Sequence, residues 1–394
     1  MKRQVFEDYQ PYKIKHKARF DLGNNENRII DWSILPQKTL ESLEVGQLSF
    51  YGENTYSELI EKYATYLGVN PRQVTVGVGS DHLIHMIVST FMEKDDTFLT
   101  VNPDFFMYKT YNQMHGSRFE AIDLEEKDGT LVLPVDNLLA RAQETNAKIL
   151  MLSNPNNPSS IAYSMEDLER LASSFKGLLV IDEAYIEFAE VESFISRLED
   201  YENVLVLRTL SKAFGLAGLR VGFAVGSEEL IYELDKVIPP FSLSNLTAHM
   251  ATVALDYKDK VTETVETIVK LRQEMIAFLE QLEDCHVLPS QTSFVTFKAP
   301  WAEVFHQQAL AKDWNFKYYP TGKLAGYIRL SVGRPEEMAM LKEMVKSMIE
   351  KGEWERTRLV KKEFVNKSLF PVVELKQSIP RLFQSHPRTA QKVQ

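Results

Sequence analysis

Lys212 stands in a stretch whose residue types could support covalent chemistry on a phosphorylated aldehyde. Two hydroxyl residues, Thr209 and Ser211, come just before it, and Arg220 follows eight positions later. An amine can form an imine with an aldehyde, while hydroxyls and a guanidinium bind phosphate. Asp182 lies upstream, directly after an apolar run, and could pair with a ring nitrogen. A lone lysine is usually a surface charge, but this combination predicts a cofactor site.

Pyridoxal phosphate is the cofactor that these groups would hold. Lys212 would form the imine and later carry protons, and Asp182 would keep the ring nitrogen protonated. Tyr185 and Asn157 would hydrogen-bond the 3′-oxygen of the ring, and Phe105 would stack on its face. The predicted phosphate ligands are Ser80, Asp81 with the backbone N–H groups of a helix start, Thr209, Ser211 and Arg220.

Arg329 would bind a substrate carboxylate through both arms of its guanidinium. Several of these residues have structural alternatives when each is taken alone. Asp182 could cap a helix, the run Asn154-Pro-Asn-Asn-Pro158 could be only a turn, and Arg329 could form a surface ion pair. Phe105 could be a core residue. Lys212 with its hydroxyl and guanidinium neighbours is what favours function.

Continuous apolar runs alternate with helical patterns over residues 55–250, which predicts an α/β fold. We expect strands at 74–78, 97–101, 149–152, 178–181, 204–207 and 221–225. Helices are predicted at 82–91, 105–114 and 164–175, the last capped by Ser164 and Asp167. Strands that do not alternate indicate a mostly parallel sheet covered by helices on both faces. Ligands bind at the carboxyl ends of such strands, so the candidate residues should converge there.

The predicted division of the chain is an N-terminal arm at 1–44, a large cofactor-binding domain at 45–250 and a small α+β domain at 251–350. A helix should begin near Thr55 with a capping box to Glu58 and end at Gly68. The small domain should hold a long helix over 245–282, strands at 294–297 and 327–332, and a helix at 335–350. The N-terminal segment should complete it.

Composition restricts the remaining classes of function. The net charge is −10, which argues against a nucleic-acid partner, and no apolar run is long enough for a membrane helix. One cysteine, Cys285, and no signal-like start predict a cytoplasmic protein, and no histidine or cysteine spacing indicates a metal. Residues 351–394 are basic and proline-containing; they predict a disordered or surface-wrapped extension rather than a charge-driven partner site.

These residues resemble the fold-type I pyridoxal phosphate aminotransferases, and most closely the histidinol-phosphate aminotransferase group. The resemblance extends from about residue 25 to 350. The runs that carry it are Asn25-Glu-Asn27, Gly79-Ser-Asp81, Asn154-Pro-Asn-Asn-Pro158, Asp182-Glu-Ala-Tyr185, Ser211-Lys-Ala-Phe-Gly-Leu-Ala-Gly-Leu-Arg220 and Arg329. It implies a homodimer with its active site at the subunit boundary, in which Tyr51 reaches the cofactor phosphate of the neighbouring subunit.

This chain departs from the family pattern at several positions. Ser159-Ser160 stands where Thr-Gly is usual, His82 stands in place of Glu, and Arg28 replaces a proline. The family usually has an arginine for the phosphate of the substrate on the strand before Arg329. Here Tyr319 occupies that place, and Lys317 could point the same way. The departures predict a substrate with a different distal group, aromatic or less charged.

The sequence therefore predicts an aminotransferase that moves an amino group between an amino acid-like donor and a 2-oxo acid in two half-reactions. The alternative enzyme is a pyridoxal phosphate decarboxylase that resembles the threonine-phosphate decarboxylases, since the same scaffold supports both reactions. A third hypothesis is a cofactor-binding sensor without turnover. Such sensors carry an N-terminal DNA-binding domain, and only about forty residues precede the catalytic region here.

Overall fold

The computed structural model describes residues 18–43 and 49–352. Residues 18–43 of the predicted arm at 1–44 belong to this part, while residues 1–17 and 44 lie outside it. The predicted extension at 351–394 also lies outside it, except for its first two residues. None of the helices in the described part is both long and apolar enough to cross a membrane.

The described strands differ greatly in length, from two residues to seven. They are β1 (Phe20–Asp21), β2 (Val74–Gly77), β3 (Thr97–Asn102), β4 (Arg118–Asp123), β5 (Glu125–Lys127), β6 (Thr130–Val132), β7 (Ala147–Ser153), β8 (Leu178–Asp182), β9 (Val204–Thr209), β10 (Gly222–Gly226), β11 (His286–Val287), β12 (Phe294–Lys298), β13 (Trp314–Asn315), β14 (Lys317–Tyr318) and β15 (Tyr327–Ser331).

The α-helices lie between these strands for most of the chain. They are α1 (Leu35–Ser42), α2 (Ser57–Leu67), α3 (Gly79–Phe91), α4 (Met107–His115), α5 (Val135–Thr145), α6 (Met165–Ser174), α7 (Glu228–Asp235), α8 (Asn245–Ala254), α9 (Lys258–Glu280), α10 (Ala302–Ala311) and α11 (Pro335–Glu350).

Seven strands form the central sheet in the order β2-β10-β9-β8-β7-β3-β4. Strand β10 runs antiparallel to both of its neighbours, and the other pairings are parallel. Alternate residues of β7 are buried on opposite faces, Ile149 and Met151 in one apolar cluster and Leu150 and Leu152 in the other. The mostly parallel, doubly covered sheet confirms the predicted fold class. The direction of β10 was not predictable, because a buried strand has the same apolar pattern in either direction.

A smaller antiparallel sheet has the order β11-β12-β15-β14. The segment before α1 contacts this sheet, since the Ser331 N–H donates to the Leu22 carbonyl at 3.0 Å. The same segment reaches the loop after β9, where Asn27 Nδ2 donates to the Ala213 carbonyl at 2.9 Å. Residues 22–27 therefore connect the two sheets.

Two predicted helix ends are present, but the predicted start of α2 is wrong. Gly68 ends α2 with a positive φ of 73°, and the Ser164 hydroxyl caps α6 by accepting from the Asp167 N–H at 3.1 Å. Helix α2 begins at Ser57, after Tyr56 in the left-handed conformation, and has no side-chain cap. The Thr55 hydroxyl instead donates to Glu53. A nearby carboxylate outside the helix competed successfully for the hydroxyl.

The predicted long helix over 245–282 is two helices, α8 and α9, separated by a 3₁₀ turn at Leu255–Tyr257. No glycine or proline marks this break, so the apolar pattern alone did not reveal it. Strands β1, β4 to β6, β11 and β13 and helices α1, α5, α7 and α10 were not predicted. Strand β4 is mostly half-buried or exposed, which removes the apolar signal.

Phe223, in the centre of β10, should contribute strongly to stability. Its ring stacks on Tyr63 of α2 with centroids 3.6 Å apart, and both side chains are fully buried. We expect Phe223→Ala to lower the free energy of unfolding by about 3–5 kcal/mol, because it leaves a cavity in a packed core. Guanidinium unfolding would measure this. Leu310→Ala, on a half-exposed side chain of α10, is the control and should change stability by less than about 1 kcal/mol.

Candidate active site

The carboxyl ends of the central strands open into one cavity of about 410 Å³. Asp182 is the last residue of β8, and Thr209 is the last residue of β9. All predicted cofactor and substrate residues except Tyr51 line this cavity, although they come from distant parts of the chain. They are Ser80, Asp81, Phe105, Asn157, Asp182, Tyr185, Thr209, Ser211, Lys212, Arg220, Tyr319 and Arg329.

Lys212 lies in the loop after β9 with its ammonium directed to the N-terminal segment. Its Nζ donates to the Asn24 carbonyl at 3.1 Å and lies 5.7 Å from the centre of the Tyr185 ring. The Thr209 hydroxyl holds the start of the loop, donating to the Val221 carbonyl at 3.2 Å and accepting from the Ser211 N–H at 3.1 Å. Thr209 lines the cavity, but its hydroxyl already has partners within the loop.

Asp182 is buried at the base of the cavity. Tyr108 donates to its Oδ2 at 3.0 Å, and the Ala184 N–H donates to its Oδ1 at 3.2 Å. Burial raises the pKa of Asp182 to about 6, and these two hydrogen bonds oppose that rise. Asp182 makes no ion pair within residues 18–43 and 49–352. A cation placed against this carboxylate would therefore be stabilised.

Tyr108 was not predicted from the sequence. It lies on α4, three residues after Phe105, and the two rings meet edge to face with centroids 5.6 Å apart. The helical spacing from Phe105 was the only available signal. It placed Tyr108 on the same helix face but did not indicate a bond to a residue 74 positions away.

Ser80, Ser211 and Arg220 also line the cavity, and their side chains are of the kinds that bind phosphate. Arg220 bonds the Ser211 hydroxyl at 3.4 Å and the Asp81 carboxylate at 3.2 Å. Since the Asp81 carboxylate is already paired, only its backbone N–H suits an anion. Gly79 has a positive φ, and a Cβ there would lie 2.6 Å from Arg220 Nη2. The first N–H groups of α3, from Gly79 onward, have no partners within the helix.

Arg329 lies on β15 and is 8% exposed. Its Nη2 donates to the Gly23 carbonyl at 2.6 Å, and its Nη1 donates to Asn157 Oδ1. Lys317 is its partner across the strand pair, and both residues line the cavity with Tyr319. Burial lowers the pKa of Lys317, and the charge of Arg329 adds to this effect. Two cations therefore lie side by side in the cavity without an ion-pair partner in the described part of the chain.

Tyr185 belongs to a short hydrogen-bonded chain. Asn25 Nδ2 donates to the Tyr185 hydroxyl at 2.9 Å, and the Ser331 hydroxyl donates to Asn25 Oδ1 at 2.9 Å. The Tyr185 oxygen thus accepts one hydrogen bond and keeps its proton for another acceptor. Asn25 was identified only as part of a motif, and its contact with Tyr185 depends on a separation of 160 residues.

Asp104 is a third carboxyl at the cavity, after Asp81 and Asp182, and the sequence did not indicate it. Ser153 donates to it through its hydroxyl and also through its N–H at 3.2 Å, and the Phe105 N–H donates at 2.7 Å. Burial raises the pKa of Asp104 to about 8 despite these bonds. The Ser153 hydroxyl in turn accepts from the Asn157 N–H at 3.1 Å. Asp104 therefore supports the turn that carries Asn157.

Tyr51 does not line the cavity of its own chain. Its side chain is 84% exposed, and its ring stacks on Phe241 with centroids 4.6 Å apart. Within residues 18–43 and 49–352, no three histidine, cysteine or acidic side chains cluster as metal ligands. Burial raises the pKa of Cys285 to about 12, so its thiol stays protonated at neutral pH.

The chain matches known proteins over most of its length. The model of the family described as aminotransferase class I and II matches residues 19–345. A histidinol-phosphate aminotransferase of Clostridium kluyveri is 30% identical over 334 residues, which cover 85% of this chain and 93% of that protein. The crystal structure of a histidinol-phosphate aminotransferase from Sinorhizobium meliloti with pyridoxal-5′-phosphate has a TM-score of 0.76 and 26% identity, covering 84% of this chain and 92% of that one.

This chain belongs to the aminotransferase class I and II family. It is an enzyme of the pyridoxal phosphate-dependent aminotransferases, as the residues around Lys212 predicted.

The cavity fits this cofactor on its own chemistry. Asp182 is a buried carboxylate without an ion-pair partner in the described residues, so it suits a protonated ring nitrogen. The Ser80 and Ser211 hydroxyls and the Arg220 guanidinium line the same cavity and suit a phosphate. The Lys212 amine lies in the same cavity as both.

Gly222 should be needed for the phosphate end of the cavity. A Cβ at this position of β10 would lie 2.4 Å from the Ser80 backbone nitrogen and 2.5 Å from the Gly79 carbonyl carbon. Backbone cannot yield as a side chain does, so Gly222→Ala should displace the start of α3 at a cost of about 1–3 kcal/mol. We expect weaker pyridoxal phosphate binding in an absorbance titration of the cofactor-free protein. The control, Gly218→Ala, has no atom within 4 Å of its new Cβ and should bind normally.

Proposed function

We propose that this cavity carries out both halves of the transfer of an amino group from an amino donor to a 2-oxo acid. One observation carries the proposal. The Lys212 amine and the Arg329 guanidinium bind the carbonyls of adjacent residues, Asn24 at 3.1 Å and Gly23 at 2.6 Å. Adjacent residues have Cα atoms about 3.8 Å apart. A proton carrier and a carboxylate ligand so close together suit an amino acid, whose carboxylate is attached to the reacting carbon.

The polar residues would divide the chemistry between them. The cofactor, when bound, supplies an aldehyde that condenses with amines and a ring that withdraws electrons. Lys212 would take the proton from the substrate Cα and deliver it to the former aldehyde carbon of the cofactor, on the other side of the substrate nitrogen. Asp182 would hold a proton on the ring nitrogen, while Tyr108 keeps the carboxylate in place. Arg329 would bind the substrate carboxylate, with Asn157 supporting its guanidinium.

The remaining predicted residues would bind and orient the cofactor. Tyr185 would donate to the 3′-oxygen, assisted by Asn157, and Phe105 would cover one ring face. The proposed phosphate ligands are the Ser80 hydroxyl, the Ser80 and Asp81 backbone N–H groups, the Ser211 hydroxyl and Arg220. Thr209 would act by holding the loop in shape, because its hydroxyl is bonded to the backbone.

The substrate should carry a second anionic group. Lys317 and Tyr319 line the cavity beside Arg329, and Lys317 is half-buried without an ion pair in the described residues. A half-buried ammonium next to a guanidinium is destabilised until an anion neutralises it. This geometry revises the sequence-based prediction of a less charged distal group. A distal phosphate or carboxylate fits better, and the similarity to histidinol-phosphate aminotransferases is consistent with it.

We further propose a cytoplasmic homodimer with the predicted large and small domains at 45–250 and 251–350. The exposed Tyr51 ring is what supports a contribution to a neighbouring site. The decarboxylase alternative is weaker, because a threonine-phosphate decarboxylase of Porphyromonas gingivalis is similar at a TM-score of 0.72 but only 19% identity, which shows the fold alone. No observation favours a sensor without turnover.

Lys212→Ala should abolish steady-state transamination. Loss of the only amine proposed to move the Cα proton should reduce kcat by at least about 10²–10⁴-fold, and the visible absorbance of the loaded protein should change. Assays with amino donors and 2-oxo acids would measure the rate. Lys236→Ala, on an exposed lysine of the C-terminal end of α7, is the control. Retention of normal turnover by Lys212→Ala would refute the assignment.

Lys317→Met should impair dianionic substrates selectively. We expect kcat/KM for 2-oxoglutarate to fall about tenfold to a hundredfold, because a charged hydrogen bond is lost, with little change for pyruvate. Lys298→Met, on an exposed lysine of β12 in the same sheet, should leave both values unchanged. An equal loss for the two acids would exclude Lys317 as the ligand of a distal anion.

A further inference from the structure

Arg28 and Glu337 form an ion pair that joins the segment before α1 to the first turn of α11. Arg28 donates to both carboxylate oxygens, from Nη2 at 2.7 Å and from Nε at 3.2 Å. The Glu337 side chain is 4% exposed, and that of Arg28 is 20% exposed. A two-point bond in a buried place restricts both side chains to one arrangement.

The pair is supported from both sides. The Arg334 N–H donates to Glu337 Oε2 at 2.8 Å, and Arg334 Nε donates to the Arg28 carbonyl at 3.1 Å. Burial opposes ionisation of Glu337, but the bonds from Arg28 and Arg334 outweigh it and lower the pKa of this carboxyl. Glu337 is therefore charged at neutral pH, and its attachment to Arg28 persists there.

The residues just before Arg28 supply partners to the active site. The Gly23 carbonyl accepts from Arg329, and the Asn24 carbonyl accepts from Lys212. The Asn25 N–H donates to the Ser331 hydroxyl at 3.1 Å, and its side chain bonds Tyr185. These three residues are held at both ends. On one side the Leu22 carbonyl bonds Ser331 of β15, and on the other side Arg28 bonds Glu337 of α11.

We propose that the Arg28–Glu337 ion pair is a positioning pair, which fixes residues 23–25 and thereby orients Arg329 toward the carboxylate of the substrate. Neither member lines the cavity, so the pair acts only through these residues. The identity of the ligand, a carboxylate, rests on the proposed function. Asn24 and Asn25 also contact Lys212 and Tyr185. Asp182 and Arg220 lie on other elements, so cofactor binding should depend on the pair far less than carboxylate binding does.

The test compares carboxylate binding in the wild-type protein and the double variant Arg28→Met/Glu337→Gln, both loaded with pyridoxal phosphate. The double variant leaves no lone buried charge, and the amide oxygen that replaces the carboxylate can still accept from the Arg334 N–H. Calorimetry with glutarate, a dicarboxylate that cannot react, gives the dissociation constant. We expect it to rise roughly tenfold to a hundredfold, because a misplaced binding group loses its alignment.

Matched measurements separate positioning from general stability. Melting temperatures and pyridoxal phosphate titrations should be close to wild type for the double variant. Arg170→Met/Asp136→Asn removes an exposed ion pair between α6 and α5 and should leave glutarate binding unchanged. Arg28→Lys keeps the charge but loses the two-point bond. Its affinity for glutarate should lie between that of the wild-type protein and that of the Arg28→Met/Glu337→Gln double variant. If the double variant does not fold, the two single variants Arg28→Lys and Glu337→Gln can each be compared with the wild-type protein for glutarate affinity.

The outcomes distinguish this inference from the proposed reaction. A folded, cofactor-loaded double variant with wild-type glutarate affinity would overturn the positioning role. Failure of the wild-type protein to bind glutarate would also overturn it, because no carboxylate site would remain to be positioned. Wild-type protein that binds glutarate but transfers no amino group would refute the proposed function alone. In transamination assays of the double variant, loss of the positioning pair should raise KM for the 2-oxo acid more than it lowers kcat.

Discussion

The parallel register of β7, β8 and β9 is the constraint on which the active site depends. Ser153 lies opposite Asp182, and Asp182 lies opposite Leu207 near the end of β9. The middle of each strand is apolar, because helices cover both faces of the sheet. Polar side chains therefore occur only where the strands leave the core. Since parallel strands end at the same edge, residues separated by many positions meet there without any local signal.

Desolvation sets the character of this edge. Asp182 is buried with hydrogen-bond donors but without an ion-pair partner among the described residues, and burial raises its pKa to about 6 in the protein alone. In the same cavity, Lys212, Arg329 and Lys317 have no ion-pair partner in the described part of the chain. Each of these charges is unfavourable until a ligand of opposite charge arrives. A phosphorylated cofactor with a protonated ring nitrogen and a substrate with carboxylates would neutralise all of them together.

The segment at 22–28 contributes mainly through its backbone. The carbonyls of Gly23 and Asn24 are neutral acceptors, so they can orient Arg329 and Lys212 without cancelling their charges. A carboxylate in the same place would compete with the substrate for the guanidinium. The segment therefore has to be held in position from outside the cavity, and the contacts of Leu22 with β15 and of Arg28 with α11 do this.

The sequence alone determined the fold class, the cofactor and the family, and it proposed twelve of the residues that line the cavity. Those inferences succeeded because the evidence is local: the run around Lys212, the carboxylate after an apolar strand and the asparagine-proline turn are each contiguous. The sequence did not predict the start of α2, because that start depends on a competing side chain. It did not predict the break between α8 and α9 either, because that break depends on packing.

Only the tertiary structure decided which residues support one another. Four of these contacts join distant segments of the chain: Tyr108 with Asp182, Asn25 with Tyr185, Asn157 with Arg329, and Arg28 with Glu337. A sequence lists donors and acceptors but does not contain the distances between them. Lys317 shows this most clearly. Its type and position were visible in the sequence. Its proposed importance comes from lying across a strand pair from Arg329 in the cavity, where an anion would relieve the repulsion between the two cations.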